Sequence, residues 1–344
     1  MKIIVDAMGG DNAPQAAVQG ALDAAKELGV SVLLVGRTED ILRAVKACGQ
    51  KDLPAGVEIH NATEVVEIAD DPAFAFKKKK DSSLTVGLNL LRDGAGDAFV
   101  SAGSTGALLS GATLVTKRIR GIRRAAMAPQ VPCLGGHFVL CDCGANAECT
   151  AEYLLQFAYL GSFYAKRMME IENPRVALLN IGAEPEKGDP LRHEAYAALK
   201  AAGEAGRVNF TGNIEATDAM MGGADVVVAD GFTGNIMLKS MEGTAKFLSK
   251  ALKQMFLSGT KTKLAAAMVK DDLASFKKLM DPSEIGGTPF LGISRPVIKA
   301  HGSSDARAIY NAVRQARDFA LSGFIRDIEE NIEYMKVASS SEKA

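Results

Sequence analysis

The sequence predicts an α/β fold: a Rossmann-like, mostly parallel sheet sandwiched by helices, with a helical hairpin projecting from it. Three observations carry that expectation. Short continuous apolar runs alternate with longer amphipathic stretches, the pattern of parallel strands buried on both faces and joined by helices. Glycine-rich loops follow the apolar runs. Residues 243–280 keep a helical rhythm while nearly losing glycine, with Gly259 as the exception after Gly243.

In chain order, Lys2–Asp6 reads as a buried strand and Pro14–Leu28 as a helix with proline in its first turn, where a missing N–H costs nothing. Ser31–Val35 is a second strand, followed by a helix over Glu39–Ala47. Further buried strands are expected at Ala98–Ser101, Phe138–Asp142, Val176–Asn180 and Val226–Ala229. Helical patterns lie between them at Thr105–Leu114, Ala147–Glu170 and Pro190–Ala202. Right-handed crossovers would then bring the loops at the strand C-terminal ends to one edge of one sheet. Residues 1–338 read as a single domain that includes the 243–280 hairpin, and 339–344 as a frayed polar tail.

Composition narrows the function classes. A net charge of −1 supplies no global field for nucleic acid. No stretch reaches the roughly 18 apolar residues of a membrane span. Five cysteines, at 48, 133, 141, 143 and 149, form no even framework. With no signal-like N-terminus, they read as reduced thiols in a cytoplasmic protein. Cys141 and Cys143 have a single residue between them, unlike a zinc knuckle, so no metal site is expected.

Five loops carry the candidate chemistry. Asp6-Ala7-Met8-Gly9-Gly10-Asp11-Asn12 follows the first strand, and Ser101-Ala102-Gly103-Ser104-Thr105-Gly106 opens a helix. Asp142-Cys143-Gly144-Ala145-Asn146, Asn180-Ile181-Gly182 through Lys187-Gly188, and Asp230-Gly231-Phe232-Thr233-Gly234-Asn235 complete the set. Glycines let backbone N–H groups approach an anion, and a following helix N-terminus adds partial positive charge. None is a dinucleotide fingerprint or a Walker loop; five at one edge of an α/β sheet indicate a site for phosphate-like groups.

Asp6, Asp142 and Asp230 each end a strand, where aspartate also serves as an ordinary helix cap. Asn146, Asn180 and Asn235 would orient a carbonyl or phosphate oxygen, or satisfy turn backbone. Lys187 would neutralise phosphate charge. His301, in Ala300-His301-Gly302-Ser303-Ser304-Asp305, is the histidine with chemical potential; the alternative is packing at a helix start. No Gly-x-Ser-x-Gly elbow or Cys–His pattern occurs, and Ser104 is the nearest candidate nucleophile. That favours direct attack of one bound substrate on another.

Val5 through Pro14 resembles the N-terminal signature of bacterial acyl-[acyl-carrier-protein]:phosphate acyltransferases, the PlsX family. Lys79-Lys80-Asp81-Ser82-Ser83, the four later loops and Ala300-His301-Gly302-Ser303-Ser304 resemble its further blocks, in order, to about residue 320. The resemblance implies transfer of a fatty acyl group from acyl carrier protein to inorganic phosphate, with no cofactor. The acyl phosphate would pass to a membrane glycerol-3-phosphate acyltransferase. It also implies a homodimer and a fold like phosphate acetyltransferases and isocitrate/isopropylmalate dehydrogenases. Lys187, Asn235 and His301 are the expected catalytic residues. Pro185 departs from the flexible acidic-glycine loop expected before Lys187.

Residues 246–278 hold eight lysines (246, 250, 253, 261, 263, 270, 277 and 278) against Asp271 and Asp272, a balance of +6. Phe247, Leu248, Ala251, Leu252, Met255 and Phe256 make one apolar helix face. Such an arm suits an anionic bilayer surface, acidic acyl carrier protein or a dimer partner. The resemblance implies that its base dimerises and its tip touches the inner face of the cell membrane, with Met255, Phe256, Leu257 and Leu264 in contact. Three rivals remain at this point. They are an acyl-CoA phosphate acetyl- or butyryltransferase, a metal- and NAD-dependent decarboxylating dehydrogenase, and a non-enzymatic membrane scaffold.

Overall fold

The computed structural model describes residues 1–67, 69–72, 74–279 and 284–335, so the 339–344 tail lies outside the described residues. The strands are β1 (Lys2–Asp6), β2 (Ser31–Gly36), β3 (Val57–Asn61), β4 (Ala98–Ser101), β5 (Ala126–Met127), β6 (Gln130–Cys133), β7 (Gly136–Cys141), β8 (Arg175–Leu179), β9 (Asn209–Ile214), β10 (Val226–Val228), β11 (Thr288–Leu291) and β12 (Val297–Lys299). Between them lie α1 (Gln15–Leu28), α2 (Thr38–Ala47), α3 (Ala75–Lys78), α4 (Ser83–Arg92), α5 (Thr105–Gly111), α6 (Ala151–Met168), α7 (Pro190–Glu204), α8 (Ala216–Met220), α9 (Gly231–Leu257), α10 (Thr260–Met268), α11 (Lys270–Leu279), α12 (Ala306–Leu321) and α13 (Phe324–Asn331). A π-helical turn, Ala112–Thr116, continues α5.

The expectation of one sheet is corrected: there are two. Seven strands run in the order β3-β2-β1-β4-β12-β11-β5, and five in the order β6-β7-β10-β8-β9. The first five of the larger sheet pair in parallel, as do β7-β10-β8-β9 in the smaller. The antiparallel pairs β11–β12, β11–β5 and β6–β7 stand where the sheets approach each other or at an edge. Residues 126–133 cause the division: β5 pairs in the larger sheet and β6, after Ala128-Pro129, in the smaller. One apolar core nevertheless runs through both, from Ile3 and Val100 to Val139, Val176 and Val228.

The helices cover the sheets because each presents one apolar face. In α1, Gly20 sits so close to α12 that a Cβ would fall 2.4 Å from the Ala306 carbonyl oxygen. A bidentate pair from Arg167 to Asp327, at 2.5 and 2.8 Å, ties α6 to α13.

The 243–280 segment also differs from the simple two-helix expectation. Its first arm is the end of α9, a helix that starts at Gly231 on the strand edge, and its second arm is divided into α10 and α11. Beyond Met237 no α9 residue is buried. No described helix is long and apolar enough to cross a membrane.

Candidate active site at the strand ends

The expected loops fall on two sheet edges. Those after β1, β4 and β12 belong to the larger sheet, and those after β7, β8 and β10 to the smaller. Asp6, 3% exposed, accepts from Met8 N and Gly9 N at 3.1 Å and from Ser101 Oγ at 2.7 Å. Ser101 Oγ in turn accepts from Gly103 N at 3.1 Å. Gly9 allows this contact, since a Cβ there would lie 2.7 Å from Gly103 N. Asp11 N donates to Gly302 O at 2.8 Å, and Asn12 Nδ2 donates to Ser303 O and Ser304 O at 3.1 Å. Gly10 faces the same Gly302 carbonyl. Ser104 caps α5, with Thr105 and Gly106 in its first turn; Gly106 abuts Pro72. Three loops are thus bolted together.

In the smaller sheet Asp142 does the equivalent work. Its fully buried carboxylate accepts from Met127 N, Cys143 N, Ala145 N, Asn146 N and Asn146 Nδ2 at 2.6–3.2 Å. Burial pushes its pKa up to about 6, opposed by these donors, with Asn146 the strongest. Asn146 Nδ2 also donates to Ala125 O at 2.8 Å. Asp230 caps α9 through Thr233 N at 2.9 Å and accepts from Thr233 Oγ1 and Arg192 Nη2. Burial opposes its ionisation, but the Thr233 and Arg192 contacts outweigh it and hold the carboxyl below its ordinary value.

Gly231 and Gly234 let the start of α9 approach this loop. A Cβ on Gly234 would stand 2.0 Å from the Asp142 carbonyl oxygen. Asn180 donates from Nδ2 to Lys187 O and accepts from Ile181 N, both at 2.9 Å, closing its own loop. Gly188 and Gly182 pack inside that loop, against Asn180 and Lys187 respectively.

The groups left over define what the edge can do. Lys187 is exposed, with no ion pair among the described residues. Asn235 is exposed, and its amide lies against Gly144, about 3.7 Å from where a Cβ would stand. Asn235 thus meets the β7 loop, while Lys187 stays on the β8 loop. His301 lies on the β12 loop. Its Nδ1 accepts from Ser303 N at 3.2 Å and lies 2.9 Å from Ser303 Oγ, leaving the proton of the neutral ring on Nε2. Burial lowers its pKa, opposed by Glu242 and assisted by Lys239, Lys299 and Lys246. The β12 loop therefore faces the early turns of α9. Lys239 pairs with Glu242 at 2.9 Å, and both also act on Cys143.

Two site residues escaped the sequence reading. Lys299, 7% exposed, ends β12 and donates from Nζ to Ala102 O at 3.3 Å and to Ala300 O. Burial pushes its pKa down to about 8, with Asp6 and Asp11 opposing and Lys239 adding to the shift. A lysine after two β-branched residues was the available signal. Arg192, on the first turn of α7, joins the β8 and β10 loops through Asp189, Asp230 and Thr233. Its signal was a basic residue three after the Asp189 cap.

The residues expected at a membrane lie far along α9 and on α10. Met255, Leu257 and Leu264 are 50%, 56% and 66% exposed, and Phe256 is half-buried.

The fold is an α/β architecture that phosphotransacetylases share. A phosphotransacetylase from Streptococcus pyogenes superposes with a TM-score of 0.66 at 19% identity, covering 93% of this chain and 94% of that one. A 4-hydroxythreonine-4-phosphate dehydrogenase from Klebsiella pneumoniae superposes at 0.54 and 15% identity, covering 93% and 99%. The model of a family described as fatty acid synthesis protein matches residues 1–327. A phosphate acyltransferase from Thermoanaerobacter pseudethanolicus is 46% identical over 97% of this chain and 98% of its own. The chain belongs to this family, that of the PlsX phosphate acyltransferases.

Proposed function

We propose that the protein moves a fatty acyl group from acyl carrier protein to inorganic phosphate by direct attack. Acyl transfer to phosphate follows from family membership; the donor and the route are our reading. The observation that carries direct attack is the state of the side-chain nucleophiles. Burial pushes the thiols of Cys143 and Cys149 up to about 12, and Ser101 is spent on Asp6. Ser104 Oγ accepts from Ala107 N at 3.5 Å as the cap of α5 and bonds to no base among the described residues.

A phosphate oxygen would then attack the thioester carbonyl carbon. The new C–O bond forms, the C–S bond breaks, and the sulfur leaves as thiolate and takes a proton from water. Lys187 neutralises phosphate charge, while Asn235 beside Gly144 supplies an amide donor to the developing oxyanion. His301, with its proton on Nε2, donates toward the same charge. The loop glycines and the Ser104, Thr105 and Thr233 segments form the phosphate-facing walls.

The His301–Ser303 contact favours a second reading, an acyl-serine intermediate. A phosphate-dependent assay with long-chain acyl carrier protein separates the two. Direct attack predicts turnover retained in Ser303→Ala, strongly reduced in Asn235→Ala and Lys187→Ala, and no burst of free carrier thiol without phosphate. Loss of turnover in Ser303→Ala with such a burst in the parent would establish the serine route instead.

In the same reading the fold is of the isocitrate/isopropylmalate dehydrogenase kind and the protein works as a homodimer through the base of the α9 arm. The arm tip rests on the anionic inner face of the cell membrane, near the glycerol-3-phosphate acyltransferase that consumes the product. Exposed apolar residues between lysines support it.

A further inference from the structure

Between α5 with its π-helical turn and the loop after β7 lies a cavity of about 280 Å³. Leu109 and Leu114 form an apolar wall, Arg118 and Arg124 a basic one, and Ala145 and Asn146 the floor. Neither arginine has a carboxylate partner among the described residues. Arg118 donates to the Arg123 carbonyl, and Arg124 lies 5.5 Å from the centre of the Tyr153 ring. Asn146 spends both Nδ2 protons on Ala125 O and Asp142 Oδ2, which leaves its Oδ1 as an acceptor.

The lining selects against simple occupants. Inorganic phosphate alone would leave the leucine wall wet and much of the volume empty. An acyl tail alone would desolvate two unpaired guanidinium groups, which is costly. What fits is an elongated molecule with an anionic phosphate at one end, an apolar stem and an amide N–H to give to Asn146. We propose that this cavity seats the phosphopantetheine arm of the acyl donor. Its phosphodiester lies on Arg118 and Arg124, its stem along Leu109 and Leu114, and one amide on Asn146 Oδ1. Paired guanidinium forks suit phosphate oxygens in number and geometry. The floor adjoins the proposed oxyanion donor, since Gly144, the residue before Ala145, packs against Asn235.

This inference rests on the proposed acyl-thioester reaction, but its test does not need turnover. Binding of 4′-phosphopantetheine and of pantetheine, which lacks the phosphate, is measured by ligand-observed NMR. The parent protein should hold the phosphorylated probe about tenfold more tightly. Arg118→Gln and Arg124→Gln should each erase most of that preference while leaving the melting temperature within a few degrees. Arg124→Lys should restore part of it. Equal binding of the two probes, or a preference unaltered in both glutamine variants, would overturn the proposal. Displacement of the probe by millimolar inorganic phosphate would overturn it too, assigning the guanidiniums to the acceptor. Turnover with acyl carrier protein is followed on the same samples. Its absence with the probe preference intact would sink the reaction reading and spare this site, and the reverse would sink this site alone.

Discussion

The loop edge and the α9–α11 arm are opposites in how they use polar and apolar groups. At the edge, Asp6, Asp142, Asp230 and Asn12 bond to neighbouring segments, and Asn180 closes its own loop. On the arm, apolar side chains such as Phe247, Leu257, Leu264 and Met268 are exposed among lysines, and past Met237 nothing on α9 is buried. Motif-like residues at the edge therefore serve architecture first, and our proposal gives the chemistry to groups left with few or no partners among the described residues. Substitution should cost stability at the edge and association on the arm.

The sharpest way to break that contrast is Asp142→Ala. Five N–H donors lose their acceptor in a dry site, so stability should fall by about 3–5 kcal/mol, seen as an earlier urea midpoint. A loss below about 1 kcal/mol would mean that the edge is not braced by its carboxylates. Next is Asn235→Ala, which removes a group without hydrogen-bond partners among the described residues. Turnover should drop by about 10²-fold with an unchanged melting temperature; a large stability loss would place Asn235 with the braces.

Lys299 sharpens the comparison through pH. Its folded pKa of about 8 lies below the ordinary 10.5, so above pH 8 the unfolded chain binds the proton more readily. The Lys299 contribution to stability should therefore rise between about pH 8 and 10.5, by on the order of 2–3 kcal/mol, read as the difference between the parent and Lys299→Met, since the buried thiols act in the opposite direction above pH 9. Below pH 8 both states are protonated and the penalty of burying the charge is fully present. The smallest stability effect belongs to Leu257→Asp with Leu264→Asp on the arm, within about 0.5 kcal/mol each. The pair should nonetheless lose flotation with anionic liposomes, and retained flotation would remove the membrane reading.

The strands that were legible share one trait, an unbroken apolar run. Val226–Val228 and Ala98–Ser101 are buried throughout, and sequence alone located them. Those that were missed lack it. β9 (Asn209–Ile214) reads NFTGNI and is polar at the sheet edge, while β5 and β12 are two and three residues long. The split into two sheets was illegible because an apolar run does not tell which neighbours it will pair with. At the site, the glycine loops marked the strand-end edges, where an anion was expected. They could not show that Asp142 would spend itself on five donors, since Met127 lies 15 residues away in sequence. The position of Lys299 after Val297 and Ile298 was legible, but its burial was not, because that comes from the β1 and β4 loops, which no local pattern predicts.

The strand run 126–133 has a consequence for motion. It passes from one sheet to the other at Ala128-Pro129, and the loop after β7 is clipped to the near side of that crossing, by Asp142 to Met127 and by Asn146 to Ala125. A rotation of one sheet against the other would pull this loop like a tendon drawn across a joint. The angle between the sheets and the attitude of Asn146 are in that sense a single coordinate.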